Sequence, residues 1–193
     1  MKVSSTFTLP LGAKAPDFSL PDAHGQWHSL ADIRGASGTL VVFACNHCPF
    51  VIHLATQLGA VAEQLGRCGI ATVVINSNDL AAFPQDGPEP MKEFAAQRGW
   101  DFPYLIDASQ QVAKAYGAAC TPDFFLFDAN LGLYYTGQFD ESRPNNGSVA
   151  TGTVLSMAAD HMLANMPPDP SPVPSTGCNI KWIPGQEPQW FLK

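Results

Sequence analysis

The chain has 193 residues, 46% of them hydrophobic and 14% charged, with a formal net charge of -7. That is enough for one domain burying roughly 70% of its unfolded surface without disulfides or metal. The composition excludes a disordered body, and an acidic chain with no basic cluster excludes nucleic acid and anionic membrane surfaces as partners.

In chain order, residues 1–35 carry short strand signals, Thr6–Leu9 and Phe18–Leu20, broken by Pro10, Pro16, Pro21 and Gly25. His24-Gly25-Gln26 predicts a hairpin turn between Phe18–Leu20 and Trp27–Leu30. Leu40–Ala44 is a continuous apolar run, as expected of a strand covered on both faces. Pro49 suits a first helical turn, and Val51, Leu54, Leu58, Val61 and Leu65 then recur on one helical face, with Gly66 or Gly69 to end it. Ile70–Asn76 predicts the next buried strand and Asn78 to Pro90 a long loop. Met91–Arg98 follows as a helix, Tyr104–Ile106 as a strand and Gln110–Tyr116 as a helix closed by Gly117. Phe124–Phe127 and Leu133–Thr136 form a hairpin about Asp128-Ala129-Asn130, and Thr153–Ala164 is the last helix. Strands alternating with helices and ending in an antiparallel pair predict an α/β sandwich with a mixed central sheet. We divide it into a body, 1–165, and a terminal segment, 166–193. That segment comprises a polyproline-like strap at Met166–Ser175 and an apolar tail at Cys178–Lys193 that packs back on the body through Trp182, Trp190 and Phe191.

No apolar run approaches the ~18 residues of a bilayer span, and the N-terminal stretch lacks the apolar core of a secretory signal. Five cysteines spread over the chain do not make a disulfide scaffold. The expected compartment is the cytoplasm, where a close cysteine pair signals redox chemistry or metal.

Cys45-Asn46-His47-Cys48-Pro49 lies directly between a buried strand and an amphipathic helix. Its spacing lets two thiols close a small disulfide, and the helix start aims N–H groups and a positive dipole end at sulfur, favouring thiolate. Three other readings compete with a redox pair. A buried structural pair would be inert, and zinc wants four ligands, whereas Cys68, Cys120, Cys178 and His53 are scattered. Haem attachment is excluded because Pro49 stands where C-x-x-C-H needs histidine.

These residues carry a resemblance. APDFSLPDAHG (15–25), VVFACNHCPFV (41–51), VVINSND (73–79), FPYLID (102–107), VAKAYGAACTPDFFLFD (112–128), YTGQFDESRPNN (135–146) and GCNIKW (177–182) resemble the peroxiredoxin-like group of thioredoxin-fold bacterial redoxins. The resemblance implies a thioredoxin-like three-layer sandwich with helices on both faces, an N-terminal β-hairpin and a packed C-terminal tail. It implies a thiol–disulfide oxidoreductase with no cofactor or metal. Its partners would be protein or small-molecule disulfides or peroxides, with a thiol system as electron donor. It also implies a cis-proline at Pro122, opposite the dithiol, shaping the surface that presents the substrate. The site is thus expected to comprise Cys45, His47, Cys48 and Pro122. Cys45 would attack as the more exposed thiol of lower pKa, and Cys48 would resolve. The alternative is a weak thiol peroxidase in which Cys48 attacks peroxide and Cys45 resolves the sulfenic acid.

Departures from the parent families shape this expectation. Ala44 stands in place of the tryptophan that usually precedes the first thioredoxin cysteine, and Thr39 in place of the usual buried acid. The proton acceptor for the resolving thiol is then missing or supplied by another residue. Against peroxiredoxins, Cys45 replaces the threonine of T-x-x-C, and Thr121-Pro122 stand where the site arginine is usual, so the peroxide O–O bond loses polarising hydrogen bonds. His47, between the thiols, is expected to stabilise a thiolate as a cation. Cys68 reads as an incidental thiol and Cys120 as a small hydrophobe. Cys178 stays open between a packing role and resolving an intermediate. Asn76, Asn78 and Asp79 read as turn residues at a strand's carboxyl end, outside the expected site.

Overall fold

A computed structural model describes residues 1–191. Five strands form the central sheet: β4 (Gly38–Phe43), β5 (Ile70–Asn76), β6 (Tyr104–Ile106), β8 (Asp123–Asp128) and β9 (Leu133–Gly137), in the order β6-β5-β4-β8-β9. β4, β5 and β6 run parallel, while β8 and β9 are antiparallel additions, so the sheet is mixed. Strand alternation splits the core into two layers. Leu40, Val42, Val74, Phe124 and Leu126 face α2 (Pro49–Arg67) and α5 (Thr153–Leu163), above the loop that leads into α3 (Pro88–Arg98). Val41, Phe43, Val73, Ile75, Phe125 and Phe127 face the other way, against Leu30 of α1 (Leu30–Ile33) and Val112, Ala113 and Tyr116 of α4 (Gln111–Tyr116). This is the thioredoxin-like sandwich.

The helical face expected of α2 is the buried one: Val51, Leu54, Leu58, Val61 and Leu65 all lie in the core. The hairpin at Gly25 joins β2 (Ser19–Pro21) to β3 (Trp27–Ser29). α3 begins three residues earlier than its apolar pattern indicates, because Pro88 supplies a pre-set first turn and Gly99, left-handed, closes it. Among the described residues, no helix is long and apolar enough to cross a membrane.

One expectation fails. Thr6–Leu9 is not a strand, since Phe7 takes a left-handed conformation (φ 53°) that extended pairing does not allow. The N-terminal strand is instead β1 (Lys2–Ser4), and it joins a small second sheet of order β1-β10-β7, with β7 at Cys120–Thr121 and β10 at Thr176–Asn179. The tail therefore pairs with the body as well as packing on it. Beyond β10, Lys181 N–H donates to Asn78 Oδ1, Asp79 N–H donates to the Lys181 carbonyl, and Gln110 clasps both sides of the segment through Lys181 O and Ile183 N–H. Trp182 is buried against Trp190 and Phe191, with ring centroids 6.0 and 6.1 Å away. The last two residues of the expected tail lie outside the described residues.

Because Trp182 is part of the core, Trp182→Ala is expected to destabilise the protein by about 3 kcal/mol, within the range for buried large-to-small changes. Urea unfolding followed by circular dichroism measures this; a loss below about 0.5 kcal/mol, the scale of a surface change, would make the tail an appendage.

Candidate functional site

β4 ends at Phe43 and α2 begins at Pro49, so residues 44–48 form a short crossover at the carboxyl edge of the sheet. Cys48 is the N-cap residue of α2, with Pro49 at the first helical position. Both thiols are closed off: Cys45 is 1% exposed and Cys48 0%. The Thr121–Pro122 peptide is cis. Thr121 touches both sulfurs: its hydroxyl lies 3.6 Å from Cys45 Sγ, and its carbonyl accepts from the protonated Cys48 thiol at 3.1 Å. The structure thus brings Cys45, Cys48 and the Thr121-Pro122 turn together.

The two thiols are equally enclosed, and the electrostatics run against the expected division between them: the pKa of Cys45 is raised well above the ordinary thiol value. Its hydrogen bond to Cys48 favours the protonated form, burial adds to this, and the charge of Asp86 opposes a second anion nearby. Cys48 is lowered to about 5, first because the Cys45 S–H donates to it. Burial opposes that shift, while Thr121, Cys178 and the Val51 amide in the first turn of α2 support it. An N-capping sulfur that meets first-turn amides is where a helix start favours negative charge. When the pair loses its first proton, both shifts direct the negative charge to Cys48 and leave the proton on Cys45.

Asp86, fully buried at the end of a 3-10 turn (Pro84–Asp86), completes the site. Its Oδ1 accepts from the Asn46 and His47 amides at 2.9 and 3.3 Å, and its Oδ2 accepts from Asn78 Nδ2 at 2.9 Å and lies 2.6 Å from His47 Nδ1. Asn76 Nδ2 donates to the Asp86 carbonyl, and the Tyr104 hydroxyl donates to Asn46 Oδ1. His47 therefore directs its ring nitrogen to a carboxylate rather than to a sulfur, and its ring stacks on Phe83 at 5.6 Å. The groups that favour the Cys48 thiolate are Cys45, Thr121, Cys178 and the first-turn Val51 amide. The sequence reading left Asp86 within a loop and kept Asn76 and Asn78 outside the site. Loop acids and strand-end asparagines are common, and nothing in their spacing marks them as partners of Cys45.

Cys45, His47 and Asp86 offer ligand atoms within 4.8 Å of one another. Three donors of mixed type fall short of the four of a structural zinc site, and the His47–Asp86 bond would have to give way to admit an ion. Cys120 is buried, and burial pushes its thiol well up, as fits a small hydrophobe. Cys68 is an exposed residue capping the end of α2. Cys178 lies in β10 directly opposite Thr121.

The AhpC/TSA family pattern matches residues 11–136. The chain belongs to the AhpC/TSA family. It is 31% identical over 124 residues to the thiol-disulfide oxidoreductase ResA of Geobacillus thermodenitrificans, covering 63% of this chain and 66% of that protein's length. It is also 31% identical over 116 residues to the putative peroxiredoxin Rv2521 of Mycobacterium tuberculosis, covering 60% of this chain and 69% of that one. The crystal structure of an uncharacterized conserved protein from Geobacillus kaustophilus superposes with a TM-score of 0.91 at 45% identity, covering 96% of this chain and 98% of that one.

The reduced protein is expected to show a thiolate transition near pH 5 in its absorbance at 240 nm. Cys48→Ser should remove it, and Cys45→Ala should move it to higher pH by taking away the neighbouring donor. A transition that survives Cys48→Ser and disappears in Cys45→Ala would return the thiolate to Cys45.

Proposed function

We propose that this member of the AhpC/TSA family is a thiol–disulfide oxidoreductase working through Cys45 and Cys48, with Pro122 flanking the reacting sulfurs. The observation that carries the reading is the unequal pair, a thiolate-favouring sulfur at the N-cap of α2 beside a protonated one that faces a buried carboxylate. Exchange needs this inequality, because only the thiolate attacks and a thiol of low pKa also leaves well.

In the proposed cycle the Cys48 thiolate attacks one sulfur of a substrate disulfide, the other sulfur leaves as thiolate, and a mixed disulfide forms on Cys48. Cys45 then gives its proton to the Asp86–His47 pair and attacks Cys48, closing the Cys45–Cys48 disulfide and releasing the second substrate thiol. Asp86 is sealed from water while the His47 side chain is 27% exposed, so the two connect the buried proton to solvent. They stand in for the acid that Thr39 does not provide. An external thiol reductant restores the dithiol. An odd count of five cysteines spread along the sequence favours the cytoplasm as its compartment.

A second reading has a specific support: the thiolate sits on Cys48, the position that the resemblance gives to a peroxidatic cysteine. There peroxide would take two electrons from Cys48, leaving a sulfenic acid that a neighbouring thiol condenses with, releasing water. Stopped-flow reaction of the reduced protein with a protein disulfide and, separately, with hydrogen peroxide separates the two. Faster reaction with the disulfide is expected.

Asp86→Asn is expected to leave the first attack nearly intact and to prolong the mixed disulfide on Cys48 by about 10²-fold, the low end for loss of a general base. Acid quenching and mass spectrometry follow this intermediate. An unchanged lifetime would remove Asp86 from proton transfer.

A further inference from the structure

The two reacting thiols are almost without accessible surface, at 1% and 0%. A third, half-buried sulfur lies on the strand that pairs beside them. β10 pairs antiparallel with β7, placing Cys178 opposite Thr121, the residue that contacts both Cys45 and Cys48. Cys178 is half-buried and close enough to Cys48 for each thiol to act on the other's ionisation. The approach depends on Gly177: a Cβ there would collide with the Thr121 carbonyl and crowd the Pro122 nitrogen. The tail strand is held in place by β1 on its other side and by the clasp of Asn78, Asp79 and Gln110 on residues 181–183.

We propose that Cys178 is a relay thiol that carries reducing equivalents from an external monothiol to the buried Cys45–Cys48 disulfide. The proposal rests on the exchange reading above and adds the route by which electrons enter. In the first step the Cys178 thiolate attacks Cys48 Sγ of the Cys45–Cys48 disulfide. The Cys48–Cys178 bond forms, the Cys45–Cys48 bond breaks, and Cys45 leaves as a thiolate that takes up the proton Cys178 gave up. In the second step an external thiolate attacks Cys178 Sγ and expels Cys48 as its stabilised thiolate. A second external thiolate then frees Cys178, so two monothiols become one disulfide as the protein disulfide becomes a dithiol.

In the first step the leaving group is the less acidic Cys45, so its departure depends on the proton that Cys178 gives up. In the dithiol state Cys178 is pushed up to about 11 by burial and by the Cys48 sulfur, with Lys181 opposing. Oxidation of Cys48 removes that neighbouring anion, so Cys178 ionises more readily in the state in which it must attack. In the second step Cys48 is the better leaving group, which directs external attack to the more accessible sulfur.

Two measurements on the full-length protein test the relay. Cys45→Ser, treated with glutathione disulfide and mapped without reduction, is expected to contain a Cys48–Cys178 disulfide. Cys48 bound only to glutathione, or both thiols left free, overturns the proposal. Separately, oxidised wild type and Cys178→Ala are mixed with reduced glutathione, and loss of the Cys45–Cys48 disulfide is followed by quenched alkylation. The variant is expected to be reduced at least about tenfold more slowly, since access is part of what sets exchange rates. Equal rates overturn the proposal even if Cys45→Ser does not fold. A wild type that never forms the Cys45–Cys48 disulfide would instead sink the exchange reading, and the Cys48–Cys178 pairing in Cys45→Ser would still be decided on its own.

Discussion

The site is organised around one buried carboxylate. Moving a charged group out of water costs several kcal/mol unless hydrogen bonds fill its lone pairs, and Asp86 is met by two backbone amides of the cysteine crossover, the His47 ring and the Asn78 amide. These donors come from the loop between β4 and α2 and from the end of β5, while Asp86 belongs to the segment leading into α3. Satisfying it therefore locks three separate pieces of chain at the carboxyl edge of the sheet. The conformation of the C-x-x-C loop follows from that locking, as does the inequality of its thiols. Asp86 raises the cost of an anion at Cys45, and the first turn of α2 lowers it at Cys48.

The same edge explains why the tail is part of the fold. Thr121 presents backbone groups from a two-residue strand that would otherwise be an open edge beside reactive sulfur. β10 covers it, and its register puts a glycine against the Thr121 carbonyl and a cysteine against the dithiol. A side chain at 177 would meet the Thr121 carbonyl and hold the strand away. Closure of the site and the placing of the third thiol are thus one structural event.

Much of this was legible from residues alone. The apolar run before Cys45 and the 3-4 spacing after Pro49 place the motif at a strand–helix junction, because buried strands and amphipathic helices each leave a period in the chain. The hairpin at Gly25 and the pair flanking Asp128 were marked by their turn residues. The small sheet was not legible. β1, β7 and β10 span two to four residues each, too few for alternation to show, and the strand signal of Thr6–Leu9 gives way to the left-handed turn at Phe7. Asp86 was hidden for a different reason. Its role comes from three-dimensional convergence, and an acid in a loop rich in proline, glycine and acids looks like ordinary surface. With Asp86 out of view, His47 is the only charge near the motif, and Cys45 reads as the thiolate.

The sequence places a potential cation between two thiols, and on that basis either sulfur could ionise. What separates them is first the interaction between the two sulfurs, and after it burial and Asp86 at Cys45 and the Thr121, Cys178 and Val51 groups at Cys48. Cys48 caps the helix and Cys45 precedes it by one turn of loop, so their environments differ although they are three residues apart. Paired titratable groups pushed in opposite directions mark an acid and a base held ready for proton transfer. Here the split fits the proposed cycle, in which Cys48 attacks while Cys45 keeps its proton until Asp86 and His47 accept it.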